Sequence, residues 1–454
     1  MPDGMATALN APESPYHHHR DPVSVAPLLE QLSATGSPAD AGETGQARCR
    51  HCGAALDHEF VDLGMSPLCE SYVPAERRDA MEPFYPLRVF VCDHCFLVQL
   101  PTHVPGEEIF PEYAYFSSFS RSWLAHAEAY AEAMITRFRL PPSGQVIEVG
   151  SNDGYLLQYF MQRGRRVLGI DPAANVAQSA IAKGIPTEVK FFGRRVANEL
   201  LARGVQADLL VGNNVLAQVP DLHDFAAGLR LVLKPGGVLT LEFPHLLRMI
   251  EENQFDTIYH EHYSYFSLRT AEAILTAHGL SLFDVEELTT HGGSLRLYGQ
   301  LAHAPIYAST DRLNDLRRRE VESGVTTGRY YDAFAERTRE AKRQLLEFLI
   351  GAKRSGKRIA GYGAPGKGNT LLNYCGIGTD FLDYTVDRNP YKQGRLLPGS
   401  RIPIYAPERI DATRPDYLLI LPWNLKDEIM GQMSHIRSWG GQFVVPIPSL
   451  KVYP

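Results

Sequence analysis

The sequence predicts an α/β protein in which two strand–turn–helix units follow a small metal-binding module. Residues 145–149 and 357–362 are short, mostly apolar runs, and each leads into a glycine-bearing turn and a helical pattern, as in Rossmann-like sheets. Two C-x-x-C pairs precede both units. These observations divide the chain into four expected parts: a disordered lead-in at 1–46, a zinc-binding module with an aromatic segment at 47–121, a first α/β domain at 122–305 and a second, Rossmann-like domain at 306–454.

Composition limits the class of protein. The 454 residues suffice for several domains, and 44% hydrophobic with 21% charged residues is typical of a soluble globular chain. The net charge of -7 argues against nucleic-acid binding. We find no apolar run near the roughly 20 residues that span a membrane, and no signal-peptide pattern. We therefore expect a cytoplasmic monomer that binds neither nucleic acid nor membranes.

The lead-in is rich in proline, alanine, serine and glycine and has little periodicity. Such composition predicts disorder, because it offers too little apolar surface for a core. We expect the histidine run at 17–19 to be part of this solvated tail.

The two C-x-x-C pairs predict one structural zinc site. Each pair can place two thiolates on a zinc ion, and two pairs complete a tetrahedral site with no open position. A redox-active dithiol is the alternative. The expected ligands are Cys49, Cys52, Cys92 and Cys95. The expected core of the module is Met65, Leu68, Tyr72, Phe84, Leu87 and Val89.

An aromatic, hydroxyl-rich segment at 112–120 separates this module from the first α/β domain. It is either a packing bridge or a wall of the active site that supplies a phenol. Tyr113 and Tyr115 are the candidate phenols, and the sequence does not choose between them.

The first glycine turn, residues 148–154, predicts a ligand pocket. Gly150 and Gly154 let the backbone approach a ligand closely. The spacing is not G-x-G-x-x-G, and the turn has no basic residue to meet a pyrophosphate. Glu148 brings a negative charge instead, which favours a ligand with a cationic end, such as S-adenosylmethionine. An ordinary packing turn is the alternative.

Later strand ends supply further candidates for this pocket. Asp171 follows the second strand, 21 residues beyond Gly150, where an acid can accept both ribose hydroxyls of an adenosine. We expect the third strand to end near 191–192, with Phe192 flanking the adenine. Five parallel strands and a late antiparallel hairpin through 291–293 are expected. The remaining cofactor candidates are Asn152, Asn213 and Asn214.

The turn at 148–154, the acid at 171, N-N-V-L-A at 213–217 and K-P-G-G at 234–237 resemble class I S-adenosylmethionine-dependent methyltransferases. Four motifs in order narrow the resemblance: the paired C-x-x-C knuckles, E-V-G-S-N-D-G-Y-L-L, Y-H-E-H-Y-S-Y-F-S at 259–267 and G-Y-G-A-P-G-K-G-N-T at 361–370. Together they resemble sugar C-methyltransferases that act on nucleotide-linked 4-keto-deoxysugars, over residues 47–454.

This resemblance implies methyl transfer to carbon, at C-3 of an NDP-linked, in particular dTDP-linked, 4-keto-6-deoxyhexose through an enolate. It implies Tyr259, Glu261 and His262 as active-site residues, with His262 as the base and a tyrosine of 113–115 beside it. An imidazole suits proton abstraction near neutral pH, and a neighbouring carboxylate could orient it. A metal-binding loop, or a polar cluster without chemistry, is the alternative.

Gln218 departs from the family pattern, because several members carry a second histidine at that position. Glutamine cannot act as a base at neutral pH, although it can hydrogen-bond a carbonyl. Gln218 is therefore a candidate for substrate binding, and His262 remains the candidate base.

The second glycine turn carries Lys367, so a diphosphate could sit on its backbone amides and ammonium. Gly368 after the lysine excludes a P-loop. Asn369 is a further candidate for substrate binding, and strands are expected at 382–386, 417–421 and 443–446. A purely scaffolding domain is the alternative.

Other functions stay open at this point. An O- or N-methyltransferase of another metabolite would need the same cofactor, and a non-catalytic nucleotide-sugar binding protein would not turn it over. A dehydrogenase is disfavoured, since both glycine turns lack G-x-G-x-x-G.

Overall fold

The computed structural model describes residues 47–111 and 113–454. The expected lead-in at 1–46, with its histidine run, and Glu112 lie outside the described residues. Within the described ranges, no helix has the length and apolar character needed to cross a membrane.

The N-terminal module is a small antiparallel sheet behind the two cysteine knuckles. Leu87, Val89 and Tyr72 are buried in it as predicted, whereas Met65 is 55% exposed and Phe84 42% exposed. The prediction that Met65 and Phe84 belong to the core was wrong. A register shift in β1 turns Met65 outward, and Phe84 lies just before β3 begins. The elements are β1 (His58–Ser66), β2 (Val73–Pro74), β3 (Tyr85–Val91), β4 (Val98–Gln99) and a short helix, Gly106–Ile109.

The central domain contains a seven-stranded sheet among the described residues, in the order β11-β12-β9-β8-β5-β6-β7. Strands β5 to β9 are parallel and β12 is antiparallel to β9, which confirms the predicted arrangement. The strands are β5 (Gln145–Val149), β6 (Arg166–Ile170), β7 (Thr187–Glu188), β8 (Ala207–Asn213), β9 (Leu233–Pro244), β10 (Ser264–Tyr265, outside this sheet), β11 (Leu280–Leu288) and β12 (Ser294–Leu301).

The predicted end of the third strand near 191–192 was wrong. Strand β7 ends at Glu188, opposite the last residue of β6. The N–H of Lys190 still donates to the carbonyl of Asp171 (3.2 Å), but the chain bends at Lys190 and the strand does not continue.

Helices cover both faces of the central sheet, and local capping sets where several begin. The side chain of Asp221 accepts hydrogen bonds from two backbone N–H groups, and Ser267 forms a capping box with Thr270, as expected of N-cap residues. The helices are Arg121–Arg137, Leu157–Gln162, Ala174–Ala182, Arg194–Ala202, Leu222–Val232, Leu246–Glu251 and Leu268–Ala277.

The C-terminal domain is a second Rossmann-like sheet, in the order β16-β14-β13-β17-β18-β19, with β19 antiparallel to β18. Its strands are β13 (Ile359–Tyr362), β14 (Thr385–Val386), β15 (Arg395–Leu396, outside this sheet), β16 (Ile404–Tyr405), β17 (Tyr417–Ile420), β18 (Gln442–Val445) and β19 (Lys451–Tyr453). Its helices, and those leading into it, are Asp311–Ser323, Arg329–Asp332, Phe334–Arg354, Gly366–Cys375, Arg409–Thr413 and Lys426–Gln432.

The two Rossmann-like turns share one hydrogen-bond pattern. Asp387, after β14, accepts from the backbone N–H groups of Ala364 (2.7 Å) and Asn389 (2.8 Å). Asp171, after β6, accepts in the same way from its own glycine turn and from two residues downstream. An acid therefore fixes each glycine turn from the neighbouring strand.

Backbone pairing joins the three modules. Strand β10, which belongs to the central domain in sequence, extends the N-terminal sheet by pairing with β4. Strand β15 of the C-terminal domain pairs with β2. Arg50 in the first knuckle donates to the carbonyl oxygens of Leu100 (2.8 Å) and Tyr263, so the knuckle is tied to the chain next to β10.

We expect Arg50→Ala to lower the free energy of unfolding by about 2 kcal/mol, because two carbonyl groups lose charged donors. The four thiolates should still bind one zinc ion per chain. Urea unfolding and metal analysis of the purified protein measure the two quantities.

Arg48→Ala is the matched control, since Arg48 is exposed and donates to the carbonyl of Gly53 within its own knuckle (3.1 Å). This substitution should change the free energy of unfolding by no more than about 0.5 kcal/mol. Equal destabilisation by the two variants, or loss of zinc from Arg50→Ala, would contradict the docking role.

Candidate active site

The four cysteine sulfurs lie within 4.8 Å of one another. Cys49 and Cys95 are 3.5 Å apart at sulfur, as are Cys52 and Cys92, close to the roughly 3.8 Å expected around a tetrahedral zinc with Zn–S bonds of about 2.3 Å. The side chain of Gln99 donates to the sulfur of Cys49 (3.1 Å). The donor set fits a closed structural zinc site.

The first glycine turn needs its glycines. Gly150 and Gly154 have φ of +70° and +75°, the left-handed region that side chains disfavour. A Cβ on Gly154 would lie 2.3 Å from Ile185, and one on Gly150 would lie 3.1 Å from Val215. The turn therefore passes close to the helix that follows β6 and to the loop that follows β8.

Three buried acids surround this turn: Glu148, Asp153 and Asp171. Burial raises the pKa of Glu148 well above its usual range, the Tyr155 hydroxyl opposes this, and the two aspartates add to the rise. Lys183 pairs with Asp153 at 3.2 Å. A cationic ligand would favour the carboxylate form of Glu148, so this edge of the sheet suits a ligand with a positive charge.

Asp171 is arranged to accept further hydrogen bonds. Its two oxygens accept from the backbone N–H groups of Asn152 (2.8 Å) and Ala173 (2.9 Å), which leaves lone pairs on each. Burial raises the pKa of Asp171 to about 6, although both backbone donors oppose the rise. At neutral pH the group is a carboxylate that can receive hydroxyl donors.

Buried acceptors without partners mark the same pocket. Both oxygens of Glu148 and the amide oxygens of Asn213 and Asn214 have no hydrogen-bond partner of good geometry among the described residues. Unpaired buried acceptors are costly, so their clustering indicates a ligand with several donors. S-adenosylmethionine, with an amino group and ribose hydroxyls, fits this set.

Phe192, the expected neighbour of the adenine, packs against a helix. Its ring packs edge-on against Phe225, with centroids 5.6 Å apart, on the helix Leu222–Val232. The contact that the structure gives Phe192 is therefore with a helix, and its expected place beside an adenine stays a prediction.

The aromatic segment is fixed to the glycine turn by two asparagines. Asn152, itself left-handed at φ +50°, accepts from the N–H of Ser117 (2.9 Å) and donates to the carbonyl of Tyr115 (3.0 Å). Asn175 bonds both backbone groups of Tyr113, at 3.1 and 2.9 Å. The segment therefore forms a wall of the pocket, with its position set by the first α/β domain.

The structure separates the two tyrosines of this segment. Burial raises the pKa of Tyr113 well above its usual range, and the charges of Glu70 and Glu261 add to the rise. Tyr115 is 38% exposed and lies within the influence of Glu70 and Asp153. Tyr113 is thus the phenol on the side of the Y-H-E-H loop.

Every module holds the Y-H-E-H loop. The N–H of Tyr263 donates to the carbonyl of Ala217 in the central domain (2.8 Å). Thr370 of the C-terminal domain donates to the carbonyl of Ile258 (2.9 Å), and Arg50 of the zinc module reaches Tyr263. The loop is therefore the meeting point of the three modules.

His262 is held as a neutral imidazole, and one of its nitrogens has no hydrogen-bond partner among the described residues. Its Nδ1 lies 3.0 Å from the carbonyl of Thr257, so Nδ1 carries the proton and Nε2 is unprotonated. Burial, with smaller contributions from the charges of His291 and Lys367, lowers the pKa of His262 to about 4. The Tyr259 ring lies 4.0 Å from the imidazole, centroid to centroid.

The sequence suggests that a neighbouring carboxylate orients this imidazole, but in the structure the carbonyl of Thr257 orients it and Glu261 does not. The carboxylate accepts instead from the thiol of Cys69, at 3.2 Å. Burial raises the pKa of Glu261 to about 7, so near neutral pH this group is present in both protonation states. His260 faces the zinc module, with Nε2 3.2 Å from the carbonyl of Pro86.

At the second glycine turn, the lysine side chain is available to a ligand, whereas protein atoms lie against the start of the helix. A Cβ on Gly366 would lie 2.6 Å from the sulfur of Cys69 and 3.4 Å from Oε1 of Glu70, so a protein carboxylate lies at the start of this helix. Lys367 lies over the Trp423 ring (4.6 Å). The structure therefore disfavours the expected diphosphate on the loop amides.

The other two substrate candidates have different surroundings. Asn369 donates to the carbonyl of Cys69 (2.6 Å) and is buried, so it positions the segment that contacts Glu261. Gln218 is half-buried in a short 3-10 helix, Leu216–Gln218, directly after the residue whose carbonyl holds the Y-H-E-H loop.

Sequence reasoning missed three residues of this region: Cys69, Trp423 and His291. Cys69 and Trp423 come from separate modules, and only tertiary contact brings them to the loop. His291 carried a weak signal, since a histidine followed by two glycines is unusual in a hairpin turn.

The strand order, the glycine turn and the acid after β6 define a class I S-adenosylmethionine-dependent methyltransferase. Comparison with known families agrees over most of the chain. A zinc binding domain model matches residues 49–110, a methyltransferase domain model matches 123–285 and a C-methyltransferase C-terminal domain model matches 289–448.

The C-methyltransferase NovU of Streptomyces niveus is 36% identical to this chain over 404 residues, which are 89% of the chain and 96% of NovU. The chain therefore belongs to the S-adenosylmethionine-dependent C-methyltransferase family. Its cofactors are S-adenosylmethionine and zinc, and the four-cysteine cluster fits the zinc.

Solved structures resemble only part of the chain. Magnesium protoporphyrin IX methyltransferase of Synechocystis PCC 6803, with bound S-adenosylmethionine, matches 39% of this chain and 78% of its own at 17% identity and a TM-score of 0.30. The CurJ carbon methyltransferase matches 41% and 57% at 15% identity and a TM-score of 0.32. At these TM-scores the likeness supports no argument about the site.

We expect Asp171→Asn to weaken S-adenosylmethionine binding about 10- to 100-fold at pH 8, because hydrogen bonds to a charged acceptor are lost. In the unchanged protein the affinity should fall as the pH drops through about 6, where the Asp171 carboxylate becomes protonated. The variant should lack that step. Calorimetric titration between pH 5 and 8 measures both effects.

Asp208→Asn is the control, since Asp208 pairs with Lys234 at the other end of β8 (2.7 Å). It should leave the affinity within about twofold. An affinity for Asp171→Asn equal to that of the control would remove Asp171 from the cofactor site.

Proposed function

We propose that this methyltransferase acts on C-3 of a dTDP-linked 4-keto-6-deoxyhexose in deoxysugar biosynthesis. The observation that carries the proposal is the free Nε2 of His262, on a loop that lies between the cofactor pocket and the C-terminal domain. Methylation of carbon needs a base, because the C–H bond beside a ketone must lose its proton first. Methylation of oxygen or nitrogen breaks no C–H bond, because the proton that leaves is on the heteroatom and exchanges with water.

In the proposed reaction, Nε2 of His262 takes the proton from the carbon next to the ketone. The Thr257 carbonyl accepts from Nδ1–H (3.0 Å), so it stabilises the imidazolium that forms. The electron pair of the C–H bond becomes the enolate, with its negative charge on the ketone oxygen. When bound, S-adenosylmethionine would supply the methyl group: the new C–C bond would form as the S–CH3 bond breaks, and S-adenosylhomocysteine would leave.

Neutral donors near the loop suit the developing oxyanion. The phenols of Tyr259 and Tyr113 have pKa values raised by burial, so both keep their protons at neutral pH. Glu261, with a pKa raised to about 7, is a third donor when protonated. Fixed donors in a buried site stabilise an oxyanion strongly, because they need no reorganisation.

The substrate's negative charge has a counterpart in Lys367. Burial lowers the pKa of this ammonium, and Asp256 opposes the shift. The ammonium donates to Asn424 (3.1 Å) and lies over Trp423, which leaves donors for an anion. We assign the diphosphate to this ammonium, with Gln218 and Asn369 lining the sugar's approach.

The resemblance to sugar C-methyltransferases supports C-3 as the methylated carbon. C-5 lies on the other side of the same ketone and is acidic for the same reason, so the product's NMR spectrum decides between the two. We further propose that the enzyme works as a cytoplasmic monomer.

We expect His262→Asn to abolish methyl transfer and to stop hydrogen exchange at the acidic carbon, because the base is gone. Affinity for S-adenosylmethionine should stay within about threefold. Mass spectrometry of a dTDP-linked 4-keto-6-deoxyhexose, incubated with the enzyme and labelled cofactor in D2O, measures transfer and exchange together.

His260→Asn is the matched control, since this imidazole faces Pro86 of the zinc module; it should retain exchange and transfer. Retained activity in His262→Asn would refute the base. A wild-type enzyme that methylates oxygen or nitrogen without exchange, or binds the sugar without turnover, would overturn the proposed reaction.

A further inference from the structure

The turn between β11 and β12 holds a histidine in an unfavourable backbone conformation. His291 has φ +54° and ψ +18°, and Asn214, which contacts its ring, has φ +55°. Residues other than glycine that are held in this region cost of order 1 kcal/mol and concentrate at functional sites. The surroundings of His291 therefore maintain its conformation.

Contacts from two domains hold the turn. Thr290 donates to the buried carboxylate of Glu242 (3.0 Å), and Gln254 donates to the carbonyl of Gly292 (2.6 Å). A Cβ on Gly292 would lie 2.4 Å from the Trp423 ring of the C-terminal domain. The turn thus fits between the central sheet and the C-terminal domain with no space for a larger residue after the histidine.

The proton of His291 is on a defined nitrogen. The side-chain Nδ2 of Asn214 lies 3.1 Å from Nε2 of the ring, so the amide donates to Nε2 and the neutral imidazole carries its proton on Nδ1. Burial, together with the charge of Lys367, lowers the pKa of His291 to about 4. Nδ1 has no partner within the part of the chain that the structure describes.

The ring stands between the cofactor pocket and the candidate base. Asn214 belongs to the set of unpaired acceptors, and Trp123 packs edge-on against the imidazole at 5.0 Å between centroids. On the other side, Trp423 packs against Gly292 of the turn and lies under the ammonium of Lys367. The charge of His291 lowers the pKa of His262, and the charge of Lys367 lowers the pKa values of both imidazoles. His291 is therefore a neutral donor close to the candidate base.

We propose that Nδ1–H of His291 donates a hydrogen bond to the ketone oxygen of the substrate and stabilises the charge that develops there. The inference rests on the proposed function. His262 takes the proton, the oxygen gains the charge, and His291 keeps its own proton throughout. His291 would thus supply an imidazole donor in a chain that has Gln218 where several members of the family have a second histidine.

The test measures enolate formation apart from methyl transfer. Wild type, His291→Asn and His291→Gly are incubated in D2O with a dTDP-linked 4-keto-6-deoxyhexose and S-adenosylhomocysteine, and exchange is followed by NMR. Asparagine and glycine both tolerate the left-handed backbone, so the turn is kept. We expect exchange to fall about 100-fold or more in both variants, with the KM for the sugar and the Kd for S-adenosylhomocysteine changed less than about threefold.

His303→Asn is the control, since His303 is exposed just beyond β12, and it should exchange like wild type. Exchange by the His291 variants within about threefold of wild type would overturn the inference and leave the proposed function standing. Loss of cofactor affinity parallel to loss of exchange would assign His291 a structural role and overturn it too. Absence of exchange in the wild type would refute the proposed function and the inference with it.

Discussion

The active site depends on a shared loop that no single module could hold in place. Strand β10 completes the N-terminal sheet, Thr370 holds the other end of the loop from the C-terminal helix, and Tyr263 is bonded to the central domain. These contacts together fix the backbone that carries His262. In the proposed reaction the zinc would act indirectly, because it fixes the knuckle from which Arg50 reaches the loop.

The two candidate ligand regions, at the first and second glycine turns, differ in the charge of their side chains. Carboxylates at the ends of β5 and β6 surround the first glycine turn and suit a cationic cofactor, whereas the second turn has a protein carboxylate at its helix start and offers the ammonium of Lys367. Both turns are fixed by an acid on the neighbouring strand, Asp171 in one and Asp387 in the other. The same hydrogen-bond pattern thus fixes two turns whose surroundings differ in charge.

Burial sets the protonation states on which the proposed chemistry depends. It lowers the pKa values of His262 and His291 to about 4, and so keeps both imidazoles neutral. It raises the pKa of Glu261 to about 7. A base and its neighbouring donors can then coexist in a small volume without mutual charge repulsion, whereas water-exposed histidines, with pKa values of about 6.5, would be partly charged at neutral pH.

The sequence by itself determined which central strands are parallel and which are antiparallel, the zinc ligands and the family, because these follow from local patterns: apolar runs, glycine turns and C-x-x-C spacing. The apolar pattern wrongly predicted that Met65 and Phe84 are buried. The neighbouring carboxylate Glu261 was expected to orient His262, but the Thr257 carbonyl orients it. Only the tertiary structure decided which tyrosine faces the loop, what lies at the second turn and where His291 stands. Those facts depend on contacts between residues hundreds of positions apart, and no local pattern encodes such distances.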